Sequence, residues 1–168
     1  ALKQAARSFY RSIANPTSGG YFIGKTPSHD MLVNGAMKVL TALDWLGEEI
    51  HYPTQLIDAT LHKLPRPAGC NMVDAVYVLY RCALQTNYRR AAIKVYLQEC
   101  LCMISQHTRA DGGFSYNIDR SQRWYYGLAI TKGLKEGDIH GTILLVWAVT
   151  MCTAVLYPGM LSWKVLRP

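Results

Sequence analysis

Seventeen consecutive residues, GTILLVWAVTMCTAVLY (Gly141–Tyr157), carry no charge. A helix built from them is apolar nearly all round and must be covered, by lipid or by other helices of a sizeable core. The run sits at the short limit for crossing a bilayer. Trp163, Lys164 and Arg167 on its C-terminal side would suit a membrane interface, but Asp138 and His140 stand at its start and no second run of this kind exists. The expectation is a buried core helix and no membrane span.

The rest of the chain supplies the helices that would cover it. Leu32, Ala36, Met37, Val39, Leu40, Leu43 and Leu46 give Met31–Leu46 a helical period that stops at Gly47, and Val73, Val76, Tyr77, Leu79, Tyr80 and Leu84 do the same for Asn71–Gln85. Amphipathic helices are predicted between these: Leu2–Ala14 with Phe9 and Ile13 inward, Thr54–Leu64, and Tyr88–His107 with Ala92, Val95, Tyr96, Leu101 and Ile104 inward. Strand-like alternation is absent, so the fold class is all-α. The joints repeat as well. SGGYF (Ser18–Phe22) and DGGFS (Asp111–Ser115) each precede a helix that begins with polar residues, SHDMLVNGAMKVLTAL from Ser28 and GDIHGTILLVWAVTM from Gly137. A shortened joint leads into PAGCNMVDAVYVLYRCAL from Pro67. Stacking the three starts places Asp30, Cys70 and Asp138 at one position and Asn34, Asp74 and Thr142 at another. One helical hairpin per repeat, at roughly 40 to 50 residues each, describes a helical repeat array. The domain reading is a single unit of about three hairpins, approximately 1–46, 51–86 and 88–157.

Gln106 together with Gly112-Gly113-Phe114, and again Gly19-Gly20-Tyr21, resembles the QW-type repeat of terpenoid cyclases and the GGF repeat of protein prenyltransferase β subunits. The resemblance implies hairpins that close into an α/α toroid, with inner helices around a central cavity. The chain would then form about half of such a ring, either as the C-terminal half of a longer protein or as one member of a homodimer. That the chain opens on Ala1 and not Met fits a piece of a longer protein. Here the aromatic is Phe or Tyr, not Trp, and Ile13 stands where the first repeat would want Gln. The Asp-x-Asp-Asp acid of squalene-type cyclases, the DDxxD run that holds diphosphate-bound magnesium and the Gly-Cys-Gly-Glu of thioester-forming toroids are all absent from the sequence.

In such an array the inner-helix N-termini share one opening, where free N–H groups and the positive dipole ends favour anions. Asn34, Asp74, Asp138, His140 and Thr142 belong there, with Asp30, Cys70 and Asn71. Asp30, Asn71 and Asp138 are also ordinary N-cap types. Protein prenyltransferases hold zinc through Asp, Cys and His, and Asp30 or Asp138 with Cys70 and His140 supply those types without the family's short Asp-x-Cys spacing. No metal and no cofactor are expected. The joint from Phe114 to Gly137 is long for an ordinary connection and rich in cations and rings. Asn117, Arg120, Arg123 and Tyr126 in it are candidates for ligand binding, together with Asn34 and Asp74, because arginine forks clamp carboxylate or phosphate and rings stack on sugar or isoprenoid. Tyr125, Asp138 and His140 are the candidate catalytic residues, His140 for a pKa near neutrality.

Half of the 168 residues are hydrophobic and 17% are charged, which excludes general disorder. A net charge of +7 favours an anionic partner. The partner expected is a small anionic or apolar ligand, and not nucleic acid. Five cysteines, an odd count without CxxC spacing, fit buried thiols in the cytoplasm. Three functions compete: action on an isoprenoid-like substrate; a polysaccharide lyase-like toroid in which Asn117, Arg120 or Arg123 neutralises a uronate and Tyr125, Tyr126 or His140 takes its proton; and a non-catalytic interaction module.

Overall fold

A computed structural model describes residues 1–160, 162 and 164–167; Trp163, the expected interfacial flank, lies outside them. The chain is mostly helical. Its elements run α1 (Leu2–Ile13), α2 (His29–Leu46), α3 (Pro53–Leu61), α4 (Gly69–Gln85), α5 (Arg90–Ser105), β1 (Trp124–Tyr125), β2 (Leu128–Ala129) and α6 (Ile139–Leu156). Each helix lies where its apolar period places it. The two short strands were not expected, and they form an antiparallel hairpin inside the long joint.

The uniformly apolar helices form one layer. α4 lies between α2 and α6, and α3 and α5 pack against it from the other side. The three run parallel: Asn34 meets Asp74 near the N-termini of α2 and α4, and Asp44 meets Arg81 near their C-termini. Tyr77 of α4 packs on Trp147 of α6 with ring centroids 5.2 Å apart. Met72, Val76, Leu79, Leu97, Leu145 and Met151 are fully buried here. Burial of each large side chain contributes about 1.5–3 kcal/mol. The inward positions are not all as expected, for Phe9, Leu84 and Val95 are exposed. α6 is likewise covered only in part. Its flank facing α4 and α5 is buried, but Ile139, Ile143 and Val146 form an exposed stripe at helical spacing. It is the one helix among the described residues long and apolar enough to cross a membrane by length and composition.

The two Gly-Gly joints share one hydrogen-bonding pattern, the loop of the first being one residue longer. In the first, Asn15 N–H donates to Gly20 O at 2.8 Å and Phe22 N–H to Ile13 O at 3.0 Å. In the second, Arg109 N–H donates to Gly113 O and Ser115 N–H to His107 O, both at 2.9 Å. Gly19 and Gly112 both have positive φ, 70° and 84°. The middle unit has no such pair of its own. Its Gly69 N–H donates instead to Tyr116 O of the long joint at 3.0 Å, and Ala68 bridges to Asn117.

The joints also fix which positions of α2, α4 and α6 are equivalent. Gly20 abuts Leu32 and Gly113 abuts Thr142 Oγ1, so Leu32 and Thr142 share a place and the N-caps are Ser28, Ala68 and Asp138. The stacking expected from sequence is therefore two residues out for α6. Asp30 and Cys70 align with His140, and Asn34 and Asp74 with Leu144. An apolar run can slide by two positions without losing hydrophobicity, so only the joint geometry sets the register.

Candidate functional site

The first two turns of α2, α4 and α6 carry a connected set of polar side chains. Asn34 Nδ2 donates to Asp74 Oδ2 at 2.7 Å, and Lys38 Nζ donates to Asn34 Oδ1 at 2.9 Å. Asp74 is buried, which raises its carboxyl pKa above the usual value while the Asn34 hydrogen bond and the Lys38 charge act against that rise. One turn earlier on α4, Cys70 lies beside the Tyr116 side chain, at a helix end that lacks a side-chain cap. Burial pushes both the thiol and the phenol upward, with Asp74 adding to each.

Tyr116 leads directly to His140. The two rings stack with centroids 5.2 Å apart and planes 20° from parallel, while Tyr125 meets the same imidazole edge-on at 4.9 Å. Gln122 Oε1 lies 2.6 Å from His140 Nδ1. An amide oxygen only accepts, so Nδ1 carries the proton and Nε2 keeps its lone pair. Desolvation lowers the His140 pKa, opposed by the nearby Asp138 charge, and favours the neutral ring. A neutral imidazole with a defined tautomer, between two tyrosines, is equipped to accept a proton or a hydrogen bond at Nε2.

No family model matches this chain, and no curated protein or solved structure is significantly similar to it.

The residues expected from sequence divide into three groups. Asn34, Asp74, Tyr125 and His140 stand in or beside the polar set. Asp138 is buried and its oxygens are occupied: Oδ1 accepts Gly141 N–H at 2.6 Å, and Oδ2 accepts Tyr116 N–H at 2.7 Å and Gln122 N–H at 3.0 Å. It caps α6 and ties the long joint down. Arg120, Arg123 and Tyr126 are not brought to His140. Arg120 faces Asp119, Arg123 lies over the Trp124 ring at 5.5 Å, and Tyr126 is 90% exposed at the hairpin tip. Asn117 contributes backbone, its carbonyl accepting the Ser115 hydroxyl.

Of the expected caps only Asp138 is one; Asp30 lies inside α2, paired with Arg66 at 2.7 Å, and Asn71 lies inside α4. Among the described residues no three His, Cys, Asp or Glu side chains converge as a metal site. Lys38, Tyr116 and Gln122 complete the set without any signal in the sequence. Tyr116 has only its place two residues after the Gly-Gly-aromatic joint, and Gln122 sits in an irregular segment whose path no periodicity predicts.

Proposed function

We propose that this chain is part of an α/α toroid of the terpenoid cyclase and protein prenyltransferase type and binds a small ligand at the shared N-terminal ends of its inner helices, the ligand having an anionic head and an apolar, isoprenoid-like body. The observation that carries the reading is the neutral His140, held in one tautomer by Gln122 and flanked by Tyr116 and Tyr125. The first turn of α2, which has no side-chain cap, offers backbone N–H groups to an anionic head, and Lys38 two turns further on adds positive charge to the same helix. The rings of Tyr116 and Tyr125 offer apolar surface to the body. His140 Nε2 accepts the proton if a reaction follows. The matching hydrogen bonds of the two Gly-Gly joints support the toroid part of the reading. A reducing cytoplasmic setting suits the five free thiols.

Calorimetric titration with farnesyl diphosphate tests this directly. Binding should weaken by about tenfold or more in His140→Leu and in Asn34→Ala, the usual scale for losing a buried polar contact. Native mass spectrometry of the purified chain should show a retained ligand of this class or a dimer that completes the ring. Absence of binding by wild type at millimolar ligand would sink the proposal.

The contact between Tyr125 and His140 favours a second reading, a lyase-like proton abstraction from a uronate. Binding of an acidic oligosaccharide, with farnesyl diphosphate inert, would select it.

A further inference from the structure

The β1–β2 hairpin exposes apolar or aromatic side chains on both of its faces and touches the helices through Tyr125, whose ring lies against His140. Trp124 pairs with Ala129 and Tyr125 with Leu128, and all four are exposed. The turn residues Tyr126 and Gly127 both have positive φ, 46° and 83°, the geometry of a two-residue type I′ turn. That turn holds Tyr126 out as the tip. Leu128 is 71% exposed, and Ile130 and Leu134 continue the apolar surface. A two-stranded hairpin standing alone in water is marginal, and exposed aromatics in one place call for an occupant.

The flanks are cationic. From Arg120 to Lys135 there are four basic residues, Arg120, Arg123, Lys132 and Lys135, and no acidic one, with Asp119 and Glu136 at the two ends and Arg120 3.9 Å from the first of these. All four are exposed. We propose that this hairpin docks the chain onto an anionic lipid surface, the tip and the exposed Trp124 and Leu128 entering the interfacial layer and the four cations meeting the headgroups, while Tyr125 stays against His140. Trp and Tyr are the side chains that favour that depth, their rings among acyl chains and their polar atoms at the headgroups. Penetration is shallow, because the unpaired strand edges carry backbone N–H and C=O groups that hydrocarbon cannot satisfy. The inference does not rest on the ligand reading. It uses Arg120, Arg123 and Tyr126, which the geometry turns away from His140.

Flotation of the whole chain with vesicles tests it. The chain should float with an equal mixture of phosphatidylcholine and phosphatidylglycerol and stay down with phosphatidylcholine alone. Each cation near an anionic surface contributes about fivefold in binding, so Arg123→Gln with Lys132→Gln should weaken it about 25-fold, and raised salt should weaken it too. The pair Tyr126→Ser and Leu128→Ser should abolish flotation while circular dichroism stays that of wild type, since neither side chain touches the helical core. No flotation with anionic vesicles would overturn the proposal. So would equal flotation with both lipids, or flotation that the tip substitutions leave unchanged. If sedimentation shows a self-associated chain that the tip substitutions disperse, with no vesicle binding, the hairpin is a protein interface and the proposal fails.

Discussion

Asp138 accepts three backbone N–H groups, one from α6 and two from the long joint, and removing it would leave buried donors without partners. Asp138→Ala should therefore cost about 2–4 kcal/mol, more than an ordinary cap, read as a lowered urea midpoint. Asp74 behaves in the opposite way. Burial raises its pKa above the unfolded value, so its charged form opposes folding, and stability rises as pH falls through the folded pKa. Asp74→Asn keeps an acceptor for Asn34 and removes the charge. It should leave the thermal midpoint at pH 7 unchanged or higher, and a clear loss would show that the charge is structurally required. Both acids are visible in the sequence as polar residues at helix starts. Their different situations are not, because they depend on which backbone N–H groups and which neighbours converge on each carboxylate.

At the scale of the element, the two Gly-Gly joints share hydrogen bonds but differ in their surroundings. A side chain on Gly19 would place its Cβ 2.3 Å from the Leu56 backbone nitrogen, whereas Gly112 has open space around it. Gly112→Ala should cost about 1–2 kcal/mol, the left-handed penalty alone. Gly19→Ala adds a backbone clash with α3 and should cost clearly more, or prevent folding; equal urea midpoints for the two variants would contradict this. The long joint shows how tertiary context acts on a segment without periodicity. Asp111 accepts Gly113 N–H at 3.0 Å and Gly137 N–H at 2.8 Å, drawing the two ends of the joint together. Those two bonds lower the Asp111 pKa. Between these ends a hairpin forms that its sequence does not announce, since two-residue strands are too short to alternate.

Across the whole molecule, three histidines should shape stability against pH. Desolvation lowers the pKa of His51, His107 and His140. His107 is the most enclosed, with Nδ1 2.7 Å from Ser115 O and Nε2 buried without a partner. A histidine with a folded pKa below its unfolded one contributes stability above about pH 6.5, and that contribution is lost as pH falls through the lower folded value. The thermal midpoint should thus fall between about pH 6.5 and 5. A midpoint that stays flat over that interval would mean that these rings are solvated. The exposed stripe of α6 also belongs at this scale. The uncharged run indicates that the helix needs cover, and the fold supplies cover on one flank and leaves Ile139, Ile143 and Val146 open.

Six helices, their apolar faces in outline and the positions of the Gly-Gly joints are legible in the order of the residues. These depend on local spacing and backbone freedom, which are written residue by residue. The same order also places Asn34, Asp74 and His140 near the starts of α2, α4 and α6. Tertiary structure alone decided the register of α6 against α2 and α4, because an apolar helix can slide without changing what it buries. It decided as well that Tyr116 and Gln122 join His140 while Arg120, Arg123 and Tyr126 leave it. Those contacts link residues in an irregular joint to separate helices, and the path of such a joint follows from the few long-range hydrogen bonds that hold it.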